Sequence, residues 1–360
     1  MTIEYEELKA LRAQIEELRA KAQESGIDVS AEIRPLETQL DATRKGEEQR
    51  TSRFDRVKLA RNQGRPFTLD FIDFITDDWF ELKGDRNFRD DPAIVGGWGK
   101  IDGSSVLIIG HQKGREMKEN LHRNFGSPHP EGYRKAKRLM KLAEKFNRPI
   151  VTLIDTQGAY PGIGAEQRGQ AEAIASSIEC CMSLKVPIIS LIIGEGGSGG
   201  AIALASANKV LMFENAIYSV ISPEGCASIL WRDHTKSLEA AKAMKLTANE
   251  LFKIHIIDEI IKEPIGGAHR NKEEIVLSTK TALMKYLEEF KKYTREEIFV
   301  QRKEKFLNIG KQKAFTVFSQ QSKWIKKDIF FETVKEFSFK YKKGLTIAIL
   351  LIFMMALFLL

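Results

Sequence analysis

An α/β fold built on a largely buried sheet is what this sequence predicts, and three observations predict it. Short apolar runs rich in β-branched residues recur along the middle of the chain. Segments of helical pattern lie between them. Two glycine-rich turns each follow an apolar run and precede a helix. The strand candidates are residues 93–97, 106–110, 150–155, 187–193, 210–213 and 217–221. Each is strand-length, and the run 187–193 leads straight into glycines. The helix candidates are 131–146, 165–184 and 200–207. The helices after about Leu238 carry long charged faces, and no repeat at solenoid periods is present.

The elements are justified in chain order. Over residues 5–21, Leu8, Leu11, Ile15 and Leu18 fall at spacings of three and four. That spacing gives an amphipathic helix with a coiled-coil-like seam, ended by Gly26. A second helical stretch carries Ile33, Leu36 and Leu40, with Pro35 near its start. The pair reads as a helical hairpin, either a protein-contact element or a layer packed on its own domain. A charged stretch from Arg44 to Arg53 leads into the core.

The run 187–193 opens directly into Gly194-Glu-Gly-Gly-Ser-Gly-Gly200, five glycines within seven residues. The small apolar residues that follow fit a tightly packed helix. A strand, a glycine turn and a helix N-terminus present free backbone N–H groups to whatever lies above them. Glycine lets a ligand approach the backbone closely. Such a site can hold an anion, or an oxygen that becomes one during reaction. The second turn, Ile154-Asp-Thr-Gln-Gly-Ala-Tyr-Pro-Gly162-Ile-Gly164, has the same strand-before, helix-after setting. No Gly-Lys-Ser/Thr closes it, so it is not a phosphate-binding P-loop, and G-x-G-x-x-G does not fit. One strand-helix unit apart, the two turns come to the same sheet edge and build a pocket.

Composition narrows the partners. The 360 residues are 29% charged and 43% hydrophobic, an ordinary globular balance. The net charge of +7 and pI near 9.1 suit a polyanionic partner: a phosphorylated cofactor, a nucleic acid or an anionic membrane. Cys180, Cys181 and Cys226 form no C-x-x-C pair, so neither a zinc site nor a disulfide scaffold is expected in this chain. Adjacent Cys180 and Cys181 read as buried free thiols. Residues 1–7 are acidic, without a signal-peptide n-region or h-region, and a reducing, cytosol-like compartment is expected.

Several longer segments stand in a telling order. They include Arg65-Pro-Phe-Thr-Leu-Asp-Phe, Asp78-Trp-Phe-Glu-Leu-Lys-Gly-Asp-Arg86, Ile109-Gly-His-Gln-Lys-Gly-Arg115, Asn124-Phe-Gly and Pro130-Glu-Gly-Tyr-Arg-Lys-Ala136. Gly158-Ala-Tyr-Pro-Gly162, the turn from Gly194 to Gly200, the stretch from Tyr218 to Trp231 and Gly266-Gly-Ala-His-Arg270 follow. Over residues 1–313 this pattern resembles the carboxyltransferase alpha subunit of the multi-subunit acetyl-CoA carboxylase of bacteria and plastids.

The resemblance implies a crotonase/ClpP-like superhelix of repeated β-β-α turns, with an N-terminal helical hairpin and a C-terminal helical extension. The implied domains are a hairpin at 1–54, the carboxyltransferase domain at 55–313, a basic and aromatic linker at 314–344 and a hydrophobic tail at 345–360. It implies an α2β2 enzyme with a beta subunit, working with a biotin carboxyl carrier protein and a biotin carboxylase. Biotin then sits on the carrier, zinc on the beta subunit, and ATP is used by the biotin carboxylase. The implied reaction moves a carboxyl group from carboxybiotin to acetyl-CoA, giving malonyl-CoA for fatty acid synthesis. By matched motif, the backbone amides of Gly199 and Gly200 hold the biotin ureido oxygen. Gly158, Ala159, Tyr160, Gly162, Gly196 and Gly197 line the substrate. The beta subunit holds the acetyl-CoA enolate, and the freed biotin nitrogen takes the methyl proton, so no general base in this chain is required. Asp155 is expected to be structural.

Two departures from the family stand out. Gln157 replaces the usual proline of the turn; rigidity is given up, and activity is expected to survive. Beyond Lys313 the resemblance stops. Residues 345–360 are apolar apart from Thr346, preceded by Lys340, Lys342 and Lys343. As a helix these sixteen residues would run about 24 Å against a hydrocarbon core of about 30 Å. Lysine snorkelling can close that gap, so a membrane anchor is the expectation, with a buried helix or a frame extension as alternatives. The expected location is cytoplasmic or plastid-stromal, membrane-associated through 345–360. Lys113, Arg115, Lys118, Arg123, Arg134, Lys135, Lys137 and Arg138 form a basic cluster, read either as a solvated face or as contacts to coenzyme A, carboxybiotin or the partner. Two rival functions are a serine hydrolase, because Gly196 to Gly200 matches G-x-S-x-G with Ser198 as nucleophile and His234, His255 or His269 as base, and a non-catalytic basic binding protein.

Overall fold

The computed structural model describes residues 2–310. The expected linker at 314–344 and hydrophobic tail at 345–360 lie outside the described residues. Contacts divide the chain into a compact unit, Met1–Lys305, and a second that starts at Phe306.

Two long helices, α1 (Thr2–Ser25) and α2 (Ser30–Arg50), open the chain and pack on each other. Leu11 and Ile15 of the predicted seam are buried. Arg12 reaches Glu274 at 2.7 Å, so the hairpin also leans on its own domain. Helices α3 (Arg53–Ala60) and α4 (Thr68–Ile75) precede strands β1 (Trp79–Glu81), β2 (Ile94–Ile101) and β3 (Ser104–His111). Then come α5 (Met117–His122), α6 (Pro130–Lys145), β4 (Ile150–Thr156), α7 (Ile163–Gln167), α8 (Gln170–Ser183), β5 (Ile188–Gly197) and α9 (Ser198–Ala205). Strands β6 (Lys209–Phe213) and β7 (Ile217–Ser219) follow, then α10 (Pro223–Trp231), α11 (Ser237–Ala243), α12 (Ala248–Lys253), β8 (Glu259–Ile261), α13 (Lys272–Phe290) and α14 (Arg295–Asn308).

The strands form one mixed sheet in the order β1-β2-β3-β4-β5-β6-β8. The β1/β2 and β2/β3 pairs are antiparallel; from β3 onward every pair is parallel. Strand β5 changes partner along its length, pairing β6 through Ile189–Ile192 and β7 through Glu195–Gly197. Every residue of β4 and β5 is buried. Helices on both faces explain why these two read as continuous apolar runs and not as alternating ones.

Six predicted strands and three predicted helices appear in place, with differences that have local causes. The helix predicted over 165–184 is two helices, α7 and α8, because Gly169 adopts φ 82 between them. The strand predicted over 217–221 stops at Ser219, whose hydroxyl bonds the Ile221 carbonyl and turns the chain into α10. The short strands β1 and β8 were not predicted. Cys180 and Cys181 are buried free thiols as expected, and burial pushes Cys181 up to about 12.

One buried cation ties α14 to the end of α8 and to the segments that enter β5 and β6. Arg302 of α14 donates to the carbonyls of Cys181 (2.6 Å), Leu184 (2.7 Å) and Val186 (2.5 Å) and to Asn208 Oδ1 (2.6 Å). The first two belong to the end of α8, whose last carbonyls have no intrahelical partner. A cation is favourable there. Burial brings its own pKa down to about 10.

Candidate active site

The two glycine turns meet at the carboxyl ends of β4 and β5. Ile154 pairs with Ile192, but Thr156 pairs with Gly196, so β5 carries two extra residues in a bulge. The bulge frees ladder groups that side chains then take up. Asp155 Oδ1 accepts the Glu195 N–H at 2.9 Å. Arg65 donates to the Ile193 carbonyl at 2.8 Å and is itself paired with Glu263 at 2.7 Å, both ends fully desolvated. Asp155 also receives Lys113 at 2.6 Å. These bonds brace the end of β4 against β5.

Beyond the bulge the two turns touch backbone to backbone. A Cβ on Gly197 would fall on the Gln157 carbonyl. A Cβ on Gly200 would sit 2.8 Å from both the Ala159 nitrogen and the Gly158 carbonyl carbon, and 3.0 Å from the Tyr133 hydroxyl. Only glycine admits this approach. The turn after β4 is pinned from below. Thr156 Oγ1 accepts the Gly158 N–H (3.1 Å), and Gln170 Nε2 donates to the carbonyls of Pro128 (2.9 Å) and Tyr160 (3.0 Å). The Tyr160 ring packs on His129 with centroids 4.2 Å apart.

Helix α9 starts at Ser198, which holds φ 53, and its first turn carries Gly199 and Gly200. Among the described residues no loop or side-chain group accepts a hydrogen bond from the N–H of Gly199 or Gly200. These are orphan donors at the positive end of a helix dipole. Gly199 is half-buried and Gly200 buried. In the facing turns Gly158, Ala159, Tyr160 and Gly162 are half-buried, and Gly196 and Gly197 are buried.

Charged groups pair around the carboxyl end of β5. Arg61 bridges the buried Glu195 (2.7 Å) and Glu224 (2.9 Å). Burial opposes the Arg61 charge, but its two carboxylates outweigh burial and raise its pKa. His111 is fully buried, and burial pushes it down to about 4; Asp155 opposes that shift and Lys113 adds to it. The imidazole is therefore neutral near pH 7. Glu195, Arg61, Glu224 and Tyr133 escaped the sequence reading. The available signals were a glutamate set inside a glycine run and a tyrosine in a conspicuous segment.

The basic cluster is largely spent on internal bonds, which favours structure over ligand contact. Lys113 pairs with Asp155, Arg115 with Asp70, Arg123 with Glu119, and Lys135 with Asp90. Arg134 donates to the Arg168 carbonyl and Arg138 to the Gly84 carbonyl. Six of the eight are thus held within the fold. The hydrolase constellation does not assemble: among the described residues no hydrogen bond joins Ser198 to His234, His255 or His269. Among those residues no three His, Cys, Asp or Glu side chains converge on a metal position. A cleft of about 400 Å³ lies elsewhere, at the β1 edge, and its Lys100 and Asp78 pair with each other.

Comparison with known proteins agrees with this architecture. Residues 2–310 match the family described as acetyl co-enzyme A carboxylase carboxyltransferase-like. The acetyl-coenzyme A carboxylase carboxyl transferase subunit alpha of Thermus thermophilus is 51% identical over 311 residues, 86% of this chain and 98% of that protein. The subunit of the same name from Staphylococcus aureus (strain bovine RF122 / ET3-1) is 52% identical over 300 residues, 83% of this chain and 96% of its own. Among solved structures, transcarboxylase 12S aligns with a TM-score of 0.52 at 20% identity, over 64% of this chain and 42% of that one. A Pseudomonas malonate decarboxylase hetero-tetramer aligns at 0.51 and 14% identity, over 65% and 91%. At such identities these two show the fold, a crotonase-like α/β architecture. The chain belongs to the family of acetyl-coenzyme A carboxylase carboxyl transferase alpha subunits.

Proposed function

We propose that this chain is the biotin-side half of an acetyl-CoA carboxyltransferase, with Gly199 and Gly200 as a backbone oxyanion hole for the ureido oxygen of biotin. Carboxyl transfer to acetyl-CoA is the general function of the family. Biotin on a carrier protein supplies the carboxyl group, bound to a ureido nitrogen. Losing that carboxyl builds negative charge on the ureido oxygen. Two preorganised N–H donors at a helix N-terminus stabilise such charge by roughly 3–4 kcal/mol, about 10²–10³ in rate, by analogy with measured oxyanion holes. The observation that carries the reading is the pair of N–H groups in the first turn of α9 that no loop or side-chain acceptor takes, with Gly200 packed on the turn after β4. In this reading Gly158, Ala159, Tyr160 and Gly162, all half-buried, border the recess that takes biotin. Gly197 keeps the two turns in main-chain contact, while Gly196 lies against Tyr218 and Ile217 of β7.

The beta subunit supplies the acetyl-CoA site in this reading, in an α2β2 assembly with the carrier and the biotin carboxylase. Zinc belongs to the beta subunit and ATP to the biotin carboxylase. Co-expression with a beta subunit, followed by malonyl-CoA decarboxylation with free biotin as acceptor, tests it. The pair should turn over and the alpha chain alone should not. An inactive, well-formed pair would sink the reading.

The cell compartment in this reading is the cytoplasm or plastid stroma. Among the described residues no helix is long and apolar enough to cross a membrane. The tail at 345–360 is proposed as a membrane anchor on its composition alone. Fractionation of the full chain against one ending at Tyr341 decides it, since equal solubility removes the anchor.

A further inference from the structure

The hydroxyl of Tyr133 is fully buried and, among the described residues, has no hydrogen-bond partner. Its ring packs in the main core from the first turn of α6. Its oxygen lies 3.0 Å from the point a Gly200 Cβ would occupy. The Gly158 carbonyl carbon and the Ala159 nitrogen both lie 2.8 Å from that same point. The phenol thus reaches the seam between the two glycine turns from the protein side. Burial raises its pKa well above the ordinary phenol value, with the nearby Asp91 adding to the shift, so the group is a neutral O–H. A phenylalanine would fill the same space without an unpaired polar atom. Leaving a buried hydroxyl unpaired costs stability. That cost has a use when the bond is made in another state of the site.

We propose that Tyr133 is a positioning residue for the oxyanion hole: in the occupied site the Gly158–Ala159 peptide closes onto its hydroxyl and fixes the spacing of the two turns. The peptide offers its Ala159 N–H for the hydroxyl to accept, while its carbonyl already accepts Thr156 Oγ1 at 2.8 Å. The Ala159 N–H has no other partner among the described residues. Tyr133 touches no reacting atom; it acts through the turn that faces Gly199 and Gly200. The inference rests on the proposed carboxyl-transfer reading of this recess.

The test is Tyr133→Phe in the alpha–beta pair, assayed by malonyl-CoA decarboxylation with biotin as acceptor. The expected kcat is about tenfold lower, the size of one lost hydrogen bond in the transition state. The KM for malonyl-CoA should stay unchanged and the melting temperature should hold or rise. A wild-type kcat overturns the proposal, and so does a kcat loss that comes with a melting temperature several degrees lower. Hydrogen exchange over residues 157–162 gives a second readout. Biotin should add protection there in the wild-type pair and not in Tyr133→Phe; equal protection in both overturns the proposal. A wild-type pair with no transfer activity is a separate result, which fells the reading of the site and this inference with it.

Discussion

Adding a single methyl group at Gly200 tests whether this site works through its backbone. In Gly200→Ala the new Cβ would stand 2.8 Å from the Ala159 nitrogen and the Gly158 carbonyl carbon, where ordinary contact begins at 3.4 Å. The two turns must therefore part by about 0.6 Å, because both obstacles are main chain and neither can rotate away. A displacement near 1 Å at a reacting centre costs about 10²-fold, and losing one oxyanion donor costs about 10²–10³. We expect kcat in the alpha–beta pair to fall roughly 10- to 100-fold. Overpacking should cost about 1–3 kcal/mol, a loss of several degrees in melting temperature. Gly199→Ala is the control. Its Cβ would meet only Ile174, at 3.5 and 3.7 Å, which is ordinary contact, and its N–H survives. Activity there should stay within about threefold. The assay is malonyl-CoA decarboxylation with biotin, read beside the melting curve. Wild-type turnover in Gly200→Ala, or equal damage in both variants, would falsify the backbone mechanism.

Three further expectations follow from other sites. Ser198→Ala should retain activity within about threefold, since no base reaches that hydroxyl and alanine meets the same φ 53 that serine already adopts; a collapse of turnover would revive the hydrolase reading. Arg302→Met should destabilise the fold by about 3–5 kcal/mol in urea denaturation, because it orphans three buried carbonyls and leaves Asn208 Oδ1 with only the Ile188 N–H. His111 should make the protein acid-labile. Its folded pKa near 4 lies below the ordinary value of 6.5, so the unfolded chain binds the extra proton and stability falls as pH drops from 6.5 to 4. The full effect is at most roughly 3 kcal/mol. The stability gap between wild type and His111→Gln should shrink by that order between pH 7.5 and pH 4.5; a gap that does not move with pH rules the account out.

How much was legible in the sequence depended on whether the signal was local. Strands β4 and β5 announced themselves because burial on both faces writes an unbroken apolar run. The two turns were legible because close approach of main chains leaves glycine as the only residue that fits. Strands β1 and β8 are three residues each, too short to display any period. The break at Gly169 was hidden because one glycine inside a helical pattern is ambiguous until its φ is known. Arg65 and Glu263 stand 198 positions apart, and no local pattern links them. The burial of the Tyr133 hydroxyl likewise depends on α6 meeting the first turn of α9, which only the folded chain reveals.

The clasp made by Arg302 also has a bearing on synthesis. Ribosomes deliver residue 302 only after every strand of the sheet has emerged. Until then the end of α8 and the entry to β5 keep bare carbonyls. A nascent chain stopped short of Arg302 should therefore be cut readily by protease near residues 181–186, and release of the finished chain should close that window.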